Sequence, residues 1–188
     1  MNGINIKLRS GFTLTELMAV IAIAAILMAI GVPSYRYVSA SYRMSSEVNG
    51  LLGDLQFARS EAIKEGQPVT VCVSTDGAAC ANGVARTRWH NGWIVFSDPN
   101  GNAKVDAGEA VLRIQAGFSG KDTFQDTASS KLDSVTFNRE GFAVGLPNAG
   151  VTLTLHDSTG NAAFTRCLAI TLVGMMTTQT HATAATCI

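Results

Sequence analysis

At 188 residues the chain is long enough for one ordinary domain with an appended segment, and too short for two large ones. Its 14 Lys and Arg are balanced by 14 Asp and Glu, so no overall field draws nucleic acid or anionic lipid, and a charge-driven partner must meet a local patch. Hydrophobic residues make up 47%, an ordinary share that is unevenly spread, because Phe12 to Val32 contains a single ionisable residue.

The first eleven residues, MNGINIKLRSG, carry Lys7 and Arg9 and no acidic residue. The run LTELMAVIAIAAILMAIGV follows, close to the ~20 apolar residues that a helix needs to cross a hydrocarbon core. The flanking cations are expected on the cytoplasmic side. An ordinary secretory signal has a shorter apolar region and a small-residue cleavage site after it. A simple signal anchor or a buried core helix are the plainer readings of the hydropathy.

Glu16 breaks the run one turn in, where a carboxylate costs about 2.5–3.5 kcal/mol in a membrane. One account is a capping box, since Thr13-Leu14-Thr15-Glu16 fits Thr-x-x-Glu, with Glu16 reaching back to the Thr13 N–H. The other begins with cleavage after Gly11, which leaves the ammonium of Phe12 to neutralise a carboxylate of its own or a neighbouring subunit. Between subunits such a pair sets assembly register.

The segment Gly11-Phe12-Thr13-Leu14-Thr15-Glu16-Leu17, with basic residues before it and an apolar helix after it, resembles the class III signal of type IV pilins and type II secretion pseudopilins. The resemblance implies cleavage by a prepilin peptidase at Gly11–Phe12, N-methylation of Phe12, and a role for Glu16 in docking the subunit onto a growing filament. Gly31 and Pro33 match the family's helix-kink position, where a proline withholds an N–H from the ladder.

From Ser34 to Glu65, Val48, Leu51, Leu52, Leu55, Ala58, Ala62 and Ile63 recur at helical spacing, with Glu47, Asp54, Arg59, Glu61 and Lys64 largely apart from them. Gly66 supplies a C-terminal cap and Pro68 a stop. A helix of ~50 residues is ~75 Å long, more than one small domain can bury, so half of it needs lipid or neighbouring subunits.

Beyond Gly66 the period falls to two. Val69–Val73, Trp93–Phe96, Ala110–Ile114, Val135–Phe137, Val151–Leu155 and Cys167–Leu172 read as strands, with turns at Arg139-Glu140-Gly141 and Asp157–Asn161. The expected fold is α+β, a long N-terminal helix packed on a small antiparallel head. Its divisions are a leader (1–11), an assembly helix (12–32), the amphipathic half of that helix (33–66) and a β-rich periplasmic head (67–188). Leu52–Ala62, Gly92–Phe96 and Phe137–Gly141 make this order similar to the FimT/GspH branch of minor pilins and pseudopilins.

All four cysteines lie after the apolar stretch, as disulfides of an oxidising compartment would. Three connectivities are open. Cys72–Cys80 and Cys167–Cys187 are preferred, since each pair flanks its own loop.

The segment 98–109 places Asp98, Asn100, Asn102, Asp106 and Glu109 at the spacing of an EF-hand calcium loop, with Ala103 where glycine is usual and no flanking helices. A solvated Asn/Asp/Gly hairpin has the same composition. Arg86, Arg88 and Trp89, with His90, form a small basic-aromatic cluster that could stack and pair with single-stranded DNA, or could be a loop edge. Some members of the branch resemble DNA-uptake pilins with a Gly-Arg-x-Arg near the C-terminus. Here the stretch is Gly174-Met175-Met176-Thr177, and residues 177–186 carry no Lys or Arg.

No nucleophile elbow or phosphate loop occurs, so catalysis and a cofactor are not expected, calcium apart. The expectation is a minor pilin of a type IV pilus, single-pass in the inner membrane before assembly, with other pilins and the prepilin peptidase as partners. A type II secretion pseudopilin and a DNA-binding pilin are the alternatives.

Overall fold

A computed structural model describes residues 11–126, 131–183 and 187; the leader residues 1–10, with Lys7 and Arg9, lie outside it. One helix, α1, runs over Leu14–Glu65. The chain divides into two compact units, Met1–Ala40 and Ser41–Ile188, and α1 contributes to both.

In the first unit no described residue is buried, and Leu14, Ile21, Leu27, Met28 and Ile30 are all well exposed. Thr13 starts the helix: its Oγ1 accepts the Glu16 N–H at 3.3 Å and its carbonyl accepts the Leu17 N–H at 3.1 Å. Of the two bonds of the expected capping box, this is the one made. Gly31 and Pro33, the expected bend, lie inside one unbroken helix.

In the second unit α1 buries Met44, Val48, Leu51, Leu55, Ala58 and Ala62. These positions are spaced alternately by four and three, so they form one stripe. Ile63, expected on this face, is 52% exposed, because it lies one residue round from Ala62. The helix ends at Gly66, whose φ of 69° suits the left-handed cap.

Among the described residues, nine strands make two antiparallel sheets. The first has the order β3 (Val111–Ala116), β2 (Gly92–Ser97), β1 (Val69–Val73), β5 (Ser134–Phe137), β6 (Ala143–Val144). The second has the order β4 (Thr123–Asp126), β7 (Val151–His156), β8 (Arg166–Ile170), β9 (Met176–Thr180). The small antiparallel head expected from the sequence is thus built as two sheets. The strands not foreseen are β4, β6 and β9, which are short or rich in Thr and Gln and carry little apolar alternation.

β1 is buried along its whole length, so both its faces are covered. Register places Thr70 opposite Phe96 and Cys72 opposite Ile94. Cys72, Ile94 and Phe96 form a cluster closed over by Cys80, Val105 and Val111. Val69, Val71 and Val73 alternate with these residues and lie on the other face of the strand. Trp93 pairs with Val73 in register, and its indole reaches Asp54 on α1 at 2.8 Å.

Disulfides join Cys72 to Cys80 and Cys167 to Cys187. The second compact unit, Ser41–Ile188, includes the buried stripe of α1 that starts at Met44 together with the sheets.

Candidate assembly site

The residues expected to serve processing and assembly stand at the start of α1. Phe12 is 74% exposed, and Thr13 caps the helix through the backbone of Glu16, which leaves the Glu16 side chain free to project. Glu16 is exposed and makes no ion pair among the described residues. It is a carboxylate set into an apolar surface, the kind of group that a membrane or a helix bundle tolerates when a cation stands beside it.

The loop 98–109 joins β2 to β3 as expected, and its oxygens are used internally. Asp98 is fully buried; its Oδ1 accepts from the Asn102 N–H at 3.1 Å, and its Oδ2 from the Ala103 N–H at 2.9 Å and the Thr70 hydroxyl at 2.7 Å. Asp106 Oδ2 accepts the side-chain amides of Asn100 and Asn102 at 2.9 and 2.7 Å, and these two donors hold its carboxyl below its ordinary range. Asn102 Oδ1 caps the Lys104 N–H at 2.8 Å, and Glu109 Oε2 caps the Asp106 N–H at 2.8 Å. Among the described residues no group of three or more His, Cys, Asp or Glu could hold a metal.

The basic-aromatic cluster does not form the stacking platform considered above. Trp89 is completely buried and donates its indole N–H to the Leu132 carbonyl at 3.1 Å, so its ring has no face to offer a base. Arg86 lies 3.5 Å from the Asp133 carboxylate, while Arg88 is exposed and bridges backbone-to-backbone to Gln125. A tryptophan flanked by arginines has the same sequence signature whether it faces inward or outward.

Four polar contacts that hold the helix to the head carried no sequence signal, because their partners are far apart in the chain. Asp54 receives Trp93 of β2 and Arg113 of β3, at 2.8 and 2.9 Å. Arg43 holds Asp122, just before β4, through Nε at 2.7 Å and Nη2 at 3.2 Å. Arg59 donates to the Gly174 carbonyl at 2.7 Å. Gly174 has a φ of 73°, and a Cβ there would collide with the Gly141 carbonyl, so this crossing of turns needs glycine.

A family model described as type II transport protein GspH matches residues 47–174, and one described as the prokaryotic N-terminal methylation motif matches residues 6–32. No curated protein sequence matches the chain. Among solved structures, the Pseudomonas aeruginosa (strain PAO1) type IV minor pilin FimU in space group P21 is similar, with 22% identity and a TM-score of 0.56, over 76% of this chain and 92% of that one. Its form in space group P65 gives 22% identity and a TM-score of 0.54, over 74% and 95%. The minor pseudopilin EpsH from the Type 2 Secretion System of Vibrio cholerae is 10% identical, with a TM-score of 0.48, over 72% and 95%. The FimU likeness is one of fold: a long N-terminal helix on antiparallel sheets. Because the GspH model spans more than half of the sequence and the methylation motif precedes it, the chain belongs to the GspH family of pilin-like proteins, the minor pilins and pseudopilins.

Proposed function

We propose that the chain is a minor pilin of a type IV pilus, cleaved after Gly11 by a prepilin peptidase, methylated on Phe12, and taken into the filament with other pilins at or near its tip. The observation that carries this reading is the exposed apolar start of α1 with Glu16 projecting from it and no cation paired with it among the described residues. A helix of that character is stable in two settings, lipid before assembly and a bundle of like helices afterwards. Glu16 then orients the subunit through the amine of a Phe12, and the head presents a surface. This mechanism is packing plus one charge pair, with no catalytic step and no cofactor. The loop 98–109 serves it as a self-paired connector, and DNA has no part in it.

The fold likeness to FimU supports the pilus. The second reading, a minor pseudopilin of a type II secretion system, is favoured by the description of the matching family model. Deletion of the gene separates them: lost or shortened surface pili with normal secretion supports the first, and retained pili with lost secretion supports the second. For processing, mass spectrometry of the membrane-extracted protein should find an N-methylated Phe12 terminus. An intact leader in cells with an active prepilin peptidase would overturn the assignment.

A further inference from the structure

Glu47 lies one helical turn after Arg43, on the flank of α1 that faces Asp122. Its Oε2 is buried and has no hydrogen-bond partner. Asp122 is 2% exposed and already receives the bidentate Arg43 guanidinium and, on Oδ1, the Ser158 N–H at 3.1 Å. Two carboxyl groups thus stand under the influence of one cation: Asp122 is closed off from water, Glu47 is half-buried, and Arg43 keeps 47% of its side chain exposed. An oxygen without a donor is tolerable there on a neutral acid and costly on an anion, and like charges so close do not both ionise readily.

The other charged groups around the site do not relieve it. Asp157, in the turn between β7 and β8, is raised by burial but held below its ordinary range by hydrogen bonds from Thr159 and Asn161 and, least, by the Arg43 charge. Arg166 of β8 is turned to Ser41 and to the carbonyls of Ala163 and Thr165. Lys121 is exposed, and His156 stands opposite Thr123 in the β4–β7 register. Burial first, and the Asp122 charge second, push the Glu47 carboxyl up to about 7 against the opposing pull of Arg43.

We propose that Glu47 is a proton-binding site that decides which carboxylate holds Arg43. With the proton on Glu47, Arg43 clamps Asp122 and ties the start of the head's helix to the edge of the β4–β7 pair. With the proton lost, Glu47 draws Arg43 back into an intrahelical pair four residues apart, a geometry open to any Arg and Glu at that spacing. Asp122, no longer fixed by the guanidinium, then turns toward water, and its bond from the Ser158 amide opens more often. The clamp lies two residues after Ser41, where the compact head begins, so the proton is read where head and assembly helix meet in sequence. Neither filament reading is needed for this device.

The test uses the full-length chain in detergent micelles with 13C-labelled Glu carboxyls, the Glu47 resonance being the one missing from Glu47→Gln. That resonance should titrate near neutral pH. Exchange protection of the Ser158 amide, corrected for the intrinsic rate, should fall about tenfold from pH 6 to pH 8 in the parent chain and stay flat in Glu47→Gln. It should still fall in His156→Gln. A Glu47 resonance that titrates in the ordinary carboxylate range overturns the proposal, as does an unchanged pH profile in Glu47→Gln or one abolished by His156→Gln.

Discussion

The indole N–H of Trp93 ends on the carboxylate of Asp54 at 2.8 Å, and this one bond joins the middle of the head's helix to the strand beside the sheet's centre. The other oxygen of Asp54 takes Arg113 at 2.9 Å, whose guanidinium lies 3.7 Å from the centre of the Phe57 ring. Trp93 is 1% exposed, so its N–H has no water to fall back on. Asp54→Ala is therefore expected to lower unfolding free energy by about 2–3 kcal/mol. Asp54→Asn, which keeps an acceptor for the indole, should lose clearly less. Urea denaturation of the two variants measures the difference, and equal losses would assign the stability to the Arg113 pair instead.

The helix cap and the proposed assembly role of Glu16 can be separated, because the bond to Thr13 Oγ1 comes from the backbone N–H of Glu16. Thr13→Ala should cost the first turn about 1 kcal/mol and leave assembly largely intact. Glu16→Ala keeps that bond and should abolish incorporation into filaments while sparing expression and cleavage. Immunoblots of sheared filaments against membrane fractions show which variant is excluded. Normal incorporation of Glu16→Ala would reduce the residue to a local role.

Each disulfide closes its own loop, with sequence separations of 8 and 20. Chain entropy gives each closure about 3 kcal/mol, slightly more for the longer loop. Replacing either pair by Ser should lower the melting temperature by roughly 5–10 °C. The Cys72–Cys80 variant should lose more than its loop length implies, since Cys72 also packs on Ile94 and Phe96. Calorimetry of the two variants tests that order.

Asp98 stabilises its loop through its own hydrogen bonds. Removing a fully buried carboxylate that receives two backbone amides and the Thr70 hydroxyl should cost about 2–4 kcal/mol. That loss should be the same with millimolar calcium or with a chelator. A rise in melting temperature with calcium that disappears in Asp98→Ala would make the loop a metal site.

Stability should fall as pH rises through neutrality. The folded Glu47 carboxyl is raised from 4.5 to about 7, so the folded chain binds the proton more tightly than the unfolded one. The contribution is complete below about pH 4.5 and is lost as pH climbs through 7. Melting temperature should drop by a few degrees between pH 5 and pH 8 in the parent chain, and by less in Glu47→Gln.

Much of this architecture was legible from local pattern. Val69–Val73 coincides with β1 because a five-residue β-branched run between a proline and a polar loop has few other uses. The stripe from Val48 to Ala62 was visible because helical spacing persists over several turns. The short strand β6 is held by pairing with β5 and by a bond from the Ala143 N–H to the Leu172 carbonyl at 2.9 Å, which no window of sequence contains. Trp89 misled for the same reason: its neighbours in sequence are arginines, whereas its surroundings in space are core.

By itself the sequence determined the N-terminal methylation motif, the length of the helix, the strand-rich head and the cysteines available to staple it. These are properties of neighbouring residues and periodicity, which local physics reads directly. Only the tertiary structure decided that the strands divide into two sheets, that Trp89 faces inward, that Asp98 serves its own loop, and that Arg43, Glu47 and Asp122 meet. Each of these depends on segments tens of residues apart competing for the same buried volume and the same hydrogen bonds, and that competition is settled only when the chain packs.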